Sequence, residues 1–323
     1  MKSILTFLLI FLFISCEESK IITTDNIDGF WETTQSVTFE NGEPKDTING
    51  IPYGPRTYEG VEHYFFNEGK YVLLRNPIIL DSLGKDRARG IFAVGNFRTS
   101  SDTIFTAPEY GRDGIKETPY YKRANGVFKT KFILNGDNLL RYRINKQGKG
   151  IGAIYKRIDV FDAEDPANGF WRRTKGIVQR NFKATDTIPF SSRTFSELFM
   201  MRVLSKKFSL NMINHTYLDD NGNDVATPQY FLFNYERLND TIVESYESGH
   251  DASFDGELTP LLPNSSRKGW KNSPGVYQLN GKFYKKRKTA VDEKGNLILS
   301  PWNVNENGDA IIPLLEKVNG RIK

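Results

Sequence analysis

Residues able to carry covalent or metal chemistry are few in this chain, and their spacing does not assemble them. There is one cysteine, Cys16, and there are three histidines, His63, His215 and His250, none close in sequence to another. A histidine-based triad or a zinc site needs such groups in company. No Gly-x-Ser-x-Gly elbow and no Gly-x-x-x-x-Gly-Lys phosphate loop occurs. Gly148-Lys149-Gly150-Ile151-Gly152 is glycine-rich but lies between two strand-like segments and opens no helix, so it reads as a loop. Asp219-Asp220-Asn221-Gly222-Asn223-Asp224 offers oxygens for calcium. Its glycine stands at the fourth position, where an EF-hand loop needs it at the sixth, and a polar hairpin turn suits it better. The acidic residues are scattered, and no carboxylate pair for glycoside hydrolysis can be assigned. These observations predict a non-enzymatic protein that uses neither cofactor nor metal.

Cys16 has a chemistry of another kind. Met1-Lys2-Ser3 supplies a positive start, Ile4 to Ile14 is apolar apart from Thr6, and Ser15 stands directly before Cys16. The apolar run is too short for a membrane span of about 20 residues and reads as a secretion signal. Ending Phe13-Ile14-Ser15-Cys16, it resembles the lipobox of bacterial lipoproteins, with Phe13 where that pattern usually has Leu. The resemblance implies that Cys16 becomes the first mature residue and carries lipid, palmitate-type acyl chains included. An ordinary signal peptide with a coincidental cysteine is the other reading. Glu17-Glu18 resembles the surface-export signals of Bacteroidota lipoproteins, and reads equally as the acidic start of a polar tether. Together these imply an outer-membrane lipoprotein of the cell envelope, held to the membrane by its N-terminal lipid only, with periplasmic and surface faces both open. Residues 1–15 are then signal peptide and residues 16–25 a lipidated tether.

Composition points to strands. The 323 residues include 23 Phe, 15 Tyr and 4 Trp but only 4 Met, a balance that favours β-structure. Lys and Arg number 44 against 39 Asp and Glu, a net charge of +5 with both signs mixed, which argues for no nucleic acid partner. The most basic stretch, Lys282-Phe283-Tyr284-Lys285-Lys286-Arg287-Lys288, reads as a strand with a basic exposed face.

The chain repeats itself. Gly29-Phe30-Trp31 recurs as Gly169-Phe170-Trp171, and Asp46-Thr47-Ile48 as Asp186-Thr187-Ile188, both at an offset of 140. Ile51 to Tyr58 maps onto Ile188 to Phe195, and Asn96-Phe97 with Asp102-Thr103-Ile104 onto Asn234-Tyr235 with Asp240-Thr241-Ile242. Matches in one order at nearly one offset indicate an internal duplication. Towards the end two alignments compete. Either Gly126-Val127-Phe128 matches Gly275-Val276-Tyr277, or Phe132 to Gly136 matches Tyr277 to Gly281. Val160 to Asn168, with its Asp165-Pro166 and small residues, reads as a linker. The domains expected are residues 26–159 and 169–323, with the linker at 160–168.

Each copy shows short period-two runs separated by turn residues, such as Val127 to Leu134 before Asn135-Gly136, and no helical stripe of useful length. Arg193 to Leu204 is the nearest to one, and its aromatic content argues against it. The pattern predicts an antiparallel barrel or sandwich. A Gly-x-Trp near the start of an all-β unit of this size resembles the lipocalin fold, and specifically the divergent lipocalin-like domains of Bacteroidota lipoproteins, since the family's Thr-Asp-Tyr signature is absent from both copies. The resemblance implies two tandem antiparallel lipocalin-like β-barrels. It also implies that Trp31 and Trp171 plug the barrel ends, with Arg157 and Lys317 packing over them.

An aromatic-rich barrel interior suits a small apolar or amphiphilic ligand, and Phe65, Tyr71, Phe92, Phe132 and Tyr142 are candidates to line it or simply to fill the core. The other expectation is an interaction or structural module with filled barrels, contacting a protein or glycan through loops such as Asp251 to Ser273 with Trp270. Five Asp-Ser/Thr-aliphatic triplets resemble the O-glycosylation acceptor of Bacteroidota exported proteins, implying glycan on Thr47, Ser82, Thr103, Thr187 and Thr241. They read equally as turn-to-strand junctions repeated by duplication. Oligomeric state is open.

Overall fold

A computed structural model describes residues 27–48, 51–53, 56–58, 60–80, 86–88, 91–112, 126–189, 195–218, 224–251, 276–279, 282–299 and 307–318. Cys16, Glu17-Glu18, Ser82, Trp270 and the Asp219–Asn223 stretch lie outside them. Among the described residues all regular structure is strand.

The first half holds β1 (Gly29–Glu40), β2 (Glu43–Ile48), β3 (Ile51–Tyr53), β4 (Arg56–Tyr58), β5 (Gly60–Asn67), β6 (Lys70–Leu80), β7 (Asp86–Ala88), β8 (Ile91–Ser100), β9 (Thr103–Arg112), β10 (Phe128–Asn135), β11 (Asn138–Ile144) and β12 (Gly150–Asp159). Neighbours in the order β1-β5-β6-β8-β9-β10-β11-β12 are hydrogen-bonded antiparallel, and β12 pairs back onto β1, closing an up-and-down barrel. The second half holds β13 (Gly169–Arg180), β14 (Lys183–Pro189), β15 (Phe195–Leu204), β16 (Phe208–Leu218), β17 (Asp224–Leu238), β18 (Thr241–Asp251), β19 (Val276–Leu279), β20 (Lys282–Val291), β21 (Leu297–Leu299) and β22 (Ala310–Lys317). It repeats the topology as β13-β15-β16-β17-β18-β20-β21-β22, with β22 returning to β13. This is the all-β, lipocalin-like architecture expected, and Phe195–Leu204 is strand rather than helix.

Both copies bend their first strand in the same place. A register shift between Thr33 and Gln35 in β1 recurs between Arg173 and Lys175 in β13. Each bulge lets one long strand serve two partners, β5 then β2, or β15 then β14. The closing third aligns in a way the sequence did not suggest. Thr106 faces Phe128 and the matching Glu244 faces Lys285, so β10 corresponds to β20, and neither competing alignment holds. The strand β19 is an addition that pairs only with β20.

The repeated Gly-Phe-Trp has a separate task for each residue. Gly29 and Gly169 have φ of 145° and 130°, and a Cβ there would lie 3.0 Å from Asp159 O or from Lys317 Cε. Trp31 and Trp171 are fully buried inside their barrels, and each indole N–H donates to a carbonyl four residues earlier, Ile27 or Ala167, at 2.8 Å. Phe30 and Phe170 point the other way, out of their barrels and into one shared cluster.

That cluster joins the halves. It contains Phe30, Phe65, Val72, Leu74 and Val94 from the first barrel and Phe170, Val203, Leu210, Met212 and Leu232 from the second, with Met201. The two sets occupy matching strand positions, so the same outer face of each barrel packs on the other, the intrachain counterpart of an isologous dimer contact. Phe30 stacks on Phe65 with centroids 3.9 Å apart and meets Phe208 edge-on at 4.8 Å. The linker is part of the structure: Val160 O accepts from Lys206 N at 2.9 Å, and Arg237 Nη1 donates to both Asp165 oxygens at 2.6 and 2.9 Å, while Asp159 at the end of β12 accepts from Ser205 Oγ at 2.7 Å and from Lys207 N at 2.6 Å.

Candidate functional site in the second barrel

The first barrel has an aromatic interior. Its interior cluster runs through Trp31, Tyr64, Phe66, Tyr71, Phe97, Ile104, Phe132, Leu139 and Tyr155. Tyr64 and Phe66 stack with centroids 5.2 Å apart. Arg141 lies 4.0 Å above the Tyr64 ring, and the Tyr155 hydroxyl donates to Glu62. One guanidinium and one carboxylate are thus embedded in aromatic surface. Burial works against the Arg141 charge, but the neighbouring Tyr64, Tyr155 and Glu62 outweigh it and hold the proton more tightly than usual. Burial, then Glu62, pushes the Tyr155 hydroxyl well above its ordinary range.

The second barrel differs at matching positions. Registers place Arg202 where the first barrel has Tyr64, Ser209 for Tyr71 and Asn211 for Leu73. Glu244 replaces Thr106, Arg287 replaces Thr130, Lys285 replaces Phe128, and Thr289 replaces Phe132. Conversely Leu299 and Leu315 stand for Arg141 and Tyr155. The apolar base consists of Trp171, Leu204, Tyr235, Ile242, Leu297, Leu299 and Leu315. Arg202, Ser209, Asn211 and Glu244 are all 0% exposed, and Lys285 and Arg287 2%.

Their geometry centres on Glu244. Its Oε1 is in ion-pair contact with Arg202 Nη2 and accepts from Ser209 Oγ at 2.9 Å; its Oε2 accepts from Arg287 Nε at 2.7 Å. Arg202 Nη2 also donates to Ser209 Oγ at 2.7 Å. Glu244 is therefore committed to two guanidinium groups, with Lys285 its register partner on β20. Burial drives the Arg202 proton affinity far down, with Arg287 adding repulsion. Burial lowers Arg287 to about 9. Burial, then the charges of Arg287 and Arg202, brings Lys285 down to about 7. Arg202 Nε and Nη1 and both polar atoms of Asn211 find no hydrogen-bond partner among the described residues. A buried polar group left so costs about 1–3 kcal/mol; in the first barrel Arg141 Nε is in the same state.

The residues singled out from sequence divide. Arg157 Cζ lies 4.5 Å from the Trp31 ring centre. Lys317 sits opposite Trp171 in register, and its Nζ is 3.7 Å from Glu68 Oε1 across to the first barrel. Tyr71 and Phe132 face the first barrel's interior. Phe65 does not: it belongs to the cluster between the barrels. Nor does Tyr142, which stacks on Phe39 at 5.0 Å, on the face opposite its inward neighbour Arg141. The Phe92 side chain lies outside the described residues. His63 bonds to Glu32 at 3.0 Å beside Phe30.

Two of the Asp-Thr-Ile triplets open strands as turn junctions. Thr103 and Thr241 donate to the preceding Asp102 and Asp240 at 2.9 and 3.0 Å. The backbone carbonyls of those aspartates accept from Phe132 N and Thr289 N. Thr47 is half-buried, and exposed Thr187 donates its amide N–H to Asp186 Oδ1 at 2.7 Å.

The basic stretch of β20 is a strand with a basic exposed face, as expected, and it carries further cations on its buried face. It alternates, with Lys286 and Lys288 outside and Lys285 and Arg287 inside. Among the described residues no group of His, Cys, Asp and Glu is placed to hold a metal ion. Compared with family models, with curated proteins and with solved structures, the chain matches none.

Proposed function

We propose that this is a lipid-anchored protein of the cell envelope, attached through Cys16, that binds one small amphiphilic ligand inside its second barrel and performs no catalysis. The first barrel serves as a scaffold holding the second. The observation that carries this reading is the inward layer around Arg202 and Asn211, where two guanidinium nitrogens and a whole amide are buried without partners among the described residues, against Arg141 Nε alone around the first barrel's buried arginine. An eight-stranded barrel has room for one small ligand above an apolar base.

The test is native mass spectrometry of the chain lacking its first sixteen residues, followed by organic extraction. The expected result is a bound species of defined mass, one per chain. An apo mass, with no uptake of a hydrophobic fluorescent probe, contradicts the reading. That result favours contact with a partner through the outer surface, where Phe182 is 71% exposed at the β13–β14 turn. Loss of palmitate labelling in Cys16→Ser tests the anchor separately.

A further inference from the structure

We propose that the ligand of the second barrel is an anion, a carboxylate or phosphate group on an apolar body, held by Arg202 and Asn211 in the positive field of Arg287. This rests on the binding reading above and names its chemical class.

Charge comes first. Among the described residues, the buried layer contains Arg202, Lys285 and Arg287 and a single acid, Glu244. Both oxygens of that acid are taken, Oε1 by Arg202 and Ser209 and Oε2 by Arg287. A cationic ligand would meet the Arg202 guanidinium, whose Nε and Nη1 have no acceptor among the described residues, and an anionic group supplies the acceptor those charged donors lack.

Hydrogen bonding points the same way. Arg202 keeps Nε and Nη1 as donors after serving Glu244, and Asn211, its register partner across β15 and β16, has Nδ2 to give. Charged donors inside a desolvated barrel favour an oxyanion over a neutral carbonyl, because the bond is then charge-assisted on both sides. The surroundings supply the rest of the ligand's shape, since Trp171 is the register partner of Arg202 on its other side, and Leu204, Ile242 and Leu299 are apolar. The first barrel is an internal control. Its Arg141 is covered by the Tyr64 ring and balanced by Glu62, and only Nε is left without an acceptor.

The experiment is calorimetric titration of the chain lacking its first sixteen residues, which keeps every described element. The probes are dodecanoate, dodecyl phosphate, 1-dodecanol, acetate and inorganic phosphate. The expected result is one site per chain, with dodecanoate or dodecyl phosphate bound at least about tenfold more tightly than 1-dodecanol, the range set by one charge-assisted contact. Asn211→Leu should weaken that binding about tenfold while the thermal midpoint holds or rises, because an unpartnered amide is replaced by an apolar group. Glu244→Gln, if it folds, should tighten anion binding. Acetate or inorganic phosphate binding as tightly as the long-chain anions supports the anion site and assigns it to small free anions. Equal binding of 1-dodecanol and dodecanoate, unchanged by Asn211→Leu, overturns the anion while leaving a binding protein. Binding of none of the five overturns both readings.

Discussion

The two barrels share a topology, a first-strand bulge and a Gly-Phe-Trp, yet they hide opposite interiors. Where the first sets Tyr64, Tyr71 and Phe132, the second sets Arg202, Ser209 and Thr289. Where the first uses Arg141 and Tyr155, the second is plain leucine. What the halves keep in common lies in the backbone geometry and on the faces that meet, and what they vary lies inside. Duplication frees one copy for a task only when the other continues to support the fold, and the shared cluster from Phe30 to Leu232 is that support.

The comparison breaks most readily at the buried acids. Glu244→Ala leaves two buried guanidinium groups without their counterion and should destabilise the second barrel by about 3–5 kcal/mol. Glu62→Ala removes the acceptor of Tyr155 and leaves one buried guanidinium, Arg141, without its acid where Glu244→Ala leaves two, so its loss should be the smaller. Urea unfolding of the two variants measures the difference, and equal losses would remove the contrast.

A pH dependence sharpens it. Lys285, brought down to about 7 by burial, is neutral in the fold over a range where the unfolded chain still binds its proton. Arg202, Arg287 and Glu244 face it, and Arg287, near 9, adds the same sign at higher pH. The unfolded state holds more protons, so stability rises with pH above about 7, by at most about 1.4 kcal/mol per unit from Lys285. Lys285→Met should flatten the slope between pH 7 and 9. Anion affinity should fall over the same range as the ammonium is lost. A stability curve indifferent to Lys285→Met would contradict the placement of that side chain.

The glycines differ by what stands beside them. A Cβ at Gly29 meets the backbone oxygen of Asp159, whereas at Gly169 it meets the far end of Lys317, which can move. With positive φ at both, Gly29→Ala should cost about 2–3 kcal/mol and Gly169→Ala about 1–2, readable as shifts in melting temperature. The smallest effect is at the caps. Arg157→Met gives up a cation over Trp31, worth about 0.5–1 kcal/mol, and Lys317→Met an exposed ion pair worth about 0–1 kcal/mol.

Much of the architecture was legible in the sequence, because the Gly-Phe-Trp pair and the turn triplets are local signals repeated in order. Facing was not. Tyr64-Phe65-Phe66 has no alternation to read, since its inner face fills a barrel and its outer face is covered by the other barrel, and a strand buried on both sides becomes continuously apolar. That is why Phe65 was placed inside. The candidate site escaped for the opposite reason: Lys285 and Arg287 are residue types expected at the surface, and the acid that holds Arg287, Glu244, lies 43 positions away.

The central claim is that the second barrel binds and the first does not. Hydrogen–deuterium exchange of the chain with and without dodecanoate tests it most directly. The account predicts added protection in β15, β16, β18 and β20, with β5, β6, β9 and β10 unchanged. Protection confined to the first barrel, or in neither, would contradict it.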